Sequence, residues 1–302
     1  MATAQFGRVI TAMITPFTED GAVDYESAVA LAKHLVAHGS EGLLVGGTTG
    51  EGATMTAEEK LKLYTLIVDA VGKRGEGKKV PVMGNIGTIS TADTIAFGNK
   101  AKETGIDCAL VIVPFYVKPN QEGMYQHFTA VAKGVDLPLV LYNVPGRTGV
   151  SIQPETIKRI VDECPNVVGI KDATGNWDQV TKEKALLPED FMIYSGDDAF
   201  TLPVLLAGGV GIISVSAHVI GDDMLAMVDA FEKGDLEKAR ELHLKMYEIN
   251  KGMFFTASPT PVKTATNLLG QPGGHFRLPM VEPTEAEKAK VRQMLENYGG
   301  LL

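Results

Sequence analysis

With 302 residues, 45% of them hydrophobic and 22% charged, the chain can bury a sizeable core, and its composition excludes a disordered or fibrous protein. A formal net charge of −9 argues against a nucleic-acid surface. The nearest basic grouping, Lys73 and Arg74 with Lys78 and Lys79, lies in a glycine-rich stretch that reads as a solvated loop.

In chain order, residues 8–14 are apolar and β-leaning and stop at Thr15-Pro16-Phe17. Asp24 then caps a helical pattern to His38, with Ala28, Leu31, Leu35 and Val36 on one face. Residues 42–46 (GLLVG) form a second strand, and Thr56 with Glu59 makes a capping box for a helix to about Val71. The unit repeats: strand 80–85 with helix 91–104, strand 108–113 with helix 121–133, and strand 137–143 with helix 154–164. Strand 167–171 precedes a helix near 177–186, strand 191–194 one near 200–207, and strand 211–215 one near 222–233.

Eight strand–helix units with continuous apolar strands point to an α/β protein, a closed parallel (β/α)8 TIM barrel over residues 1–233. An open doubly wound sheet is the other architecture that periodicity allows. From residue 234 onward only helical patterns remain, at about 235–251, 261–269 and 284–297, so residues 234–302 read as a C-terminal helical region.

The strand ending at Lys171 (VVGIK, followed by DATG) organises the chain. A lysine in an apolar wall has a lowered pKa and can act as a free-amine nucleophile toward a carbonyl. A strand-end lysine more often carries its head into water, so the other strand ends must decide. Strand two ends in Gly46-Gly47-Thr48-Thr49-Gly50-Glu51, whose adjacent hydroxyls and exposed amides can grip a carboxylate. Strand four ends near Tyr116 and strand five at Tyr142, with Arg147 following; a phenol can relay protons and a guanidinium can pair with a carboxylate. Ser195, Gly196, Asp197 and Asp198 follow strand seven, and Ile213 and Ser214 close strand eight, as sources of backbone or hydroxyl groups.

Cys108 and Cys164 offer neither a disulfide framework nor metal-ligand spacing. His34 and His38 share a helix without a third ligand, so no metal is expected, and the absence of a phosphate-loop or dinucleotide fingerprint favours cofactor-free chemistry. No run of about 18 apolar residues suggests a membrane span, and the opening residues carry no basic-then-apolar leader, so a cytoplasmic protein is expected.

The motifs at residues 42–54, 112–128, 142–149, 167–175 and 194–215 together resemble the dihydrodipicolinate synthase and N-acetylneuraminate lyase family. The resemblance covers essentially the whole chain and implies a class I aldolase-type barrel without a cofactor. It looks most like the synthase branch, which condenses pyruvate with L-aspartate 4-semialdehyde on the route to diaminopimelate and lysine. It implies that Lys171 forms the Schiff base, that Tyr142 gives and takes protons, and that Thr48 and Tyr116 complete the relay. Tyr116 would come from the neighbouring subunit of a tight dimer, two dimers making a homotetramer. Thr49 would hold the pyruvate carboxylate, with backbone from Ile213 and Gly196 nearby, and Arg147 would receive the carboxylate of the semialdehyde.

The family's lysine-feedback site is where the sequence departs from the pattern. Lys60 stands in a region where histidines are frequent, Ile89 lies in the segment after strand three where an Asn and a Glu are common, and Phe115 replaces a frequent tyrosine. Like charge and lost hydrogen bonds predict weak or absent inhibition by lysine. Two other readings compete: a family lyase acting on a sugar-derived 2-keto acid, and a non-catalytic keto-acid-binding homologue. The pairing of Thr48-Thr49 with Arg147 speaks against the first, and retention of Lys171, Tyr142, Thr48 and Tyr116 speaks against the second.

Overall fold

The computed structural model describes residues 3–72 and 79–302; of the basic grouping, Lys73, Arg74 and Lys78 lie outside the described residues. The barrel strands are β1 (Val9–Ala12), β2 (Gly42–Val45), β3 (Val82–Asn85), β4 (Cys108–Ile112), β5 (Leu139–Asn143), β6 (Val167–Asp172), β7 (Met192–Ser195) and β8 (Gly211–Ser214). Between and after them run α1 (Tyr25–Ala37), α2 (Ala57–Val71), α3 (Thr91–Glu103), α4 (Gln121–Gly134), α5 (Pro145–Thr148), α6 (Pro154–Glu163), α7 (Trp177–Leu186), α8 (Thr201–Leu206) and α9 (Ala217–Glu232). The chain ends in α10 (Leu236–Gly252), α11 (Thr260–Leu268) and α12 (Glu285–Tyr298).

Each strand pairs in parallel with the next, and β8 returns to β1 through Val9↔Ile212 and Ile10↔Ile213. Closure excludes the open sheet. It also explains the continuous apolar strands, because alternate residues face two different apolar environments. Ile10, Leu44, Met83, Leu110, Val140, Tyr142, Tyr194 and Ile213 fill the interior. Val9, Leu43, Val82, Val111, Leu141, Ile170 and Ile212 pack against the helices.

Helix boundaries follow local chemistry. The capping box of α2 forms as expected, with Thr56 N–H donating to Glu59 Oε2 at 2.8 Å and Glu59 N–H to Thr56 Oγ1 at 3.2 Å. Two helices differ from the sequence expectation. Pro145 starts the one-turn α5, which Gly149 closes in the left-handed region, where the sequence suggested only a loop. Helix α9 begins at Ala217, ahead of the expected residue 222, because its first turn is set off by non-helical dihedrals at Ile220. Strand β1 is shorter than its apolar run: Met13 and Ile14 remain buried, but the Ile14 amide donates to His218 Nε2 at 3.1 Å.

The C-terminal helices do not hang free. Met246 and Ile249 of α10, Val262 of α11, and Val291 and Leu295 of α12 join the apolar cluster that the barrel's outward-facing residues form with their helices. Among the described residues no helix is long and apolar enough to cross a membrane.

The turn after β2 is closed by backbone bonds from Glu51 N to Thr48 O and from Gly52 N to Gly47 O, both 3.0 Å. A Cβ at Gly52 would lie 1.9 Å from the Gly46 carbonyl oxygen. Gly52→Ala must therefore displace backbone, and we expect a loss of about 3 kcal/mol in unfolding free energy, the upper end for overpacking. Chemical denaturation measures it; an unchanged midpoint would contradict this account of the turn.

Candidate active site

Lys171 lies within β6 rather than at its exit, since the strand continues through Asp172. Its register partners are Tyr142 on β5 and Tyr194 on β7, both interior residues, so its side chain points into the barrel. The residue is 5% exposed, and its Nζ stands 4.6 Å from the centroid of the Tyr142 ring. Burial pulls the Lys171 pKa down to about 8; the Asp198 carboxylate opposes that shift and the Arg147 guanidinium adds to it. At neutral pH the free amine is then a minor species, about a tenth of the whole, but far more populated than for a lysine in water.

Tyr142 is buried at the end of β5. Burial raises its pKa, while the Arg147 charge and a hydrogen bond with Thr48 lower it, so the phenol stays protonated at neutral pH and is held by Thr48. Thr48 is half-buried and Thr49 buried in the turn after β2, where Thr15 Oγ1 also donates to Gly50 O at 2.7 Å. Arg147 projects from the exposed side of α5, close enough to bias both Lys171 and Tyr142 electrostatically. Thr48, Tyr142 and Arg147 line a cavity of about 500 Å³ that extends past Asn85, Thr88 and Ile89 to Lys60.

Other expected residues sit differently. Ile213 packs its side chain inside the barrel, leaving only its backbone for a ligand. Gly196 donates its N–H to the Asp172 carbonyl at 2.6 Å, and a Cβ there would lie 2.6 Å from that of Ala173. Tyr116 is not brought to Lys171 or Tyr142 within the chain: its residue is 86% exposed, on a backbone with φ 65. Positive φ is unusual for so bulky a residue, and Lys118 two positions on shares it at φ 46.

Sequence reasoning gave Asp198 no charge role. Its carboxylate is 1% exposed, accepts from the Val215 amide at 3.1 Å and the Ser216 amide at 3.3 Å, and also accepts from Ser214 Oγ. Burial raises its pKa to about 6 against those bonds, so at pH 7 it presents an anion to Lys171. The adjacent acids after β7, facing a serine that ends β8, were the available signal. A second unforeseen feature lies behind the lysine. Asp172 points outward toward Glu183 of α7, one buried oxygen of each carboxyl group has no other hydrogen-bond partner, and burial holds both groups above their ordinary range. Two buried carboxyls in contact require one of them to keep its proton.

Both cysteines are buried. Among the described residues no group of three or more His, Cys, Asp or Glu side chains is arranged to hold a metal ion. His34 and His38 instead stack with ring centroids 4.4 Å apart, and His38 Nδ1 lies 3.1 Å from Asp222 Oδ2. A protonated phenol on a threonine and a guanidinium line this cavity, and the buried Lys171 amine stands against the Tyr142 ring at its wall; together they can add an amine to a carbonyl and move the protons that follow.

Comparison with known proteins finds a match to the model of the dihydrodipicolinate synthetase family over residues 5–298. A 4-hydroxy-tetrahydrodipicolinate synthase of Heliobacterium modesticaldum is 48% identical over 295 residues, covering 98% of this chain and 96% of that protein. The same enzyme of Desulforudis audaxviator is 47% identical over 293 residues, covering 97% and 98%. Among solved structures, the enzyme of Cyanidioschyzon merolae with lysine bound superposes with a TM-score of 0.94 at 41% identity, covering 98% of this chain and 99% of that one.

Because only the free amine reacts, we expect amine-directed labelling of Lys171 to increase with pH around a midpoint near 8, while exposed lysines follow their ordinary value of about 10.4. Asp198→Asn removes the anion that favours the ammonium, so the Lys171 midpoint should move to lower pH. Peptide mass spectrometry across a pH series reads both, and a midpoint that stays put or rises in Asp198→Asn would refute the coupling.

Proposed function

From the premise that the chain belongs to the dihydrodipicolinate synthetase family, we propose that it acts as a 4-hydroxy-tetrahydrodipicolinate synthase, condensing pyruvate with L-aspartate 4-semialdehyde through a Schiff base on Lys171. The observation that carries this reading is the buried Lys171 amine, its pKa drawn to about 8, beside a Tyr142 that Thr48 holds.

In this reading the Lys171 amine adds to the ketone carbon of pyruvate, and the carbinolamine loses water to give an iminium. Its electron demand lets a methyl proton leave, producing an enamine. The enamine carbon attacks the aldehyde of the second substrate, whose oxygen is protonated. The substrate's own amine then displaces Lys171 and closes the ring, releasing 4-hydroxy-tetrahydrodipicolinate and the free lysine. Tyr142 supplies and recovers the protons through Thr48.

Thr49 holds the pyruvate carboxylate, with the backbone of Ile213 and Gly196 nearby, and Arg147 pairs with the carboxylate of the semialdehyde. A site built to pair that group discriminates against aldehydes lacking it. Tyr116 completes the relay from the neighbouring subunit of a tight dimer, two dimers making a tetramer. Its exposure and its positive φ, which keep the ring off its own barrel, support that placement. Residues 1–233 are then the catalytic barrel and residues 234–302 the helical region, and the enzyme needs no cofactor and works in the cytoplasm.

The far end of the cavity bears on regulation. Lys60 is largely buried, its ammonium 4.6 Å from the Phe97 ring centroid, and Ile89 offers no hydrogen bond beside it. A cation at that end repels the ammonium groups of free lysine. Feedback inhibition by lysine is therefore weak or absent.

A coupled assay with both substrates and a reductase that consumes the product should show turnover by wild type and none by Lys171→Ala. Tyr142→Phe should lower kcat by about 10²- to 10⁴-fold, the range for one acid–base group. If wild type is silent yet borohydride with pyruvate adds mass at Lys171, the aldehyde substrate is wrong. In the same assay, added lysine should leave the steady-state rate close to its uninhibited value; potent inhibition would overturn the regulatory reading.

A further inference from the structure

The turn that carries Thr48 and Thr49 is held from a distance of 212 residues in sequence, by a lysine that touches no reacting group. Lys263 of α11 is wholly buried and donates from Nζ to Glu51 Oε1 at 2.7 Å. It also donates to the His275 carbonyl and lies 4.6 Å from the Phe17 ring centroid and 5.0 Å from that of Phe276. The other Glu51 oxygen, Oε2, accepts from the Arg277 amide at 3.3 Å. Both ends of the pair are closed to solvent, with side-chain exposures of 0% and 2%.

Glu51 is the pivot of the turn. Its backbone is left-handed, at φ 52 and ψ 27. Its N–H closes on Thr48 O at 3.0 Å, and its carbonyl accepts from Thr54 N and Thr54 Oγ1, both at 2.9 Å. Any displacement of Glu51 passes directly to Thr48. Arg277 reinforces the same loop, donating to Thr54 O at 3.1 Å and to both Glu59 carboxylate oxygens at 2.9 and 2.7 Å.

Apolar side chains of similar volume can hold two elements together as well as a buried ion pair does. What the ammonium–carboxylate contact adds is direction, since one short charge-assisted bond fixes both groups in distance and angle. We infer that Lys263, through Glu51, is a positioning residue for the Thr48–Thr49 turn, so that the C-terminal helical region sets the grip on the keto-acid carboxylate. The inference deepens the proposed function and rests on it.

The test uses borohydride trapping at Lys171, read by mass, with pyruvate and with acetone as a ketone lacking the carboxylate. The double variant Glu51→Gln with Lys263→Met keeps side-chain volume and leaves no uncompensated buried charge. Its half-saturating pyruvate concentration should rise about tenfold to a hundredfold, as for a displaced substrate-positioning group, while the half-saturating concentration of acetone, which has no carboxylate to grip, is unchanged. Glu51→Asp keeps the charge but withdraws it by one methylene, and should show the same selective loss in smaller measure; it decides the matter should the double variant not fold. Unchanged pyruvate half-saturation in a folded variant, or an equal rise in half-saturation for both ketones, overturns the inference alone. Failure of wild type to trap pyruvate overturns the proposed function and the inference with it.

Discussion

The structure turns on keeping one ammonium out of water. Lys171 occupies an interior position of a closed barrel whose neighbouring positions are apolar or aromatic, and burial makes its free amine accessible near neutral pH. Closure is what makes this possible. An open sheet would leave an edge where water could reach strand interiors, whereas here β8 returns to β1 and the interior is sealed along its length. The continuous apolar strands, the short turns and the helices packed outside all serve that enclosure.

A buried amine alone would be indifferent to its task; the charges around it set its poise. Asp198 favours the ammonium and Arg147 the amine. Neither approaches as a direct ion-pair partner in the structure, so the lysine is biased without being locked. Asp198 is itself fixed by Ser214 and by two backbone amides where β8 runs into α9. Behind the strand, Asp172 of β6 faces Glu183 of α7, and burial raises the pKa of both carboxyl groups.

The C-terminal helices extend this logic to the rim. Their apolar faces merge with the barrel's outer core, while Lys263 and Arg277 reach past it to the turn after β2. A region that reads in sequence as an appendage therefore closes one side of the site. The same fold that lowers the Lys171 pKa by burial stabilises the turn opposite by pairing another buried lysine with a carboxylate.

Much of this was legible from local pattern. A parallel strand covered on both faces must be apolar throughout, and a helix lying on it must repeat its apolar residues every three or four positions. The eight units, the capping box at Thr56 and Glu59, and the placing of Thr48, Tyr142, Arg147 and Lys171 toward the C-terminal ends of their strands or just beyond them therefore follow from sequence alone. The closure of the sheet, the inward aim of Lys171, the anion at Asp198, the facing carboxyl groups of Asp172 and Glu183, and the meeting of Lys263 with Glu51 were decided by the tertiary structure. Periodicity is a property of neighbours along the chain. Burial and electrostatic bias depend on which groups meet through space, and residues 212 positions apart have no pattern that announces it.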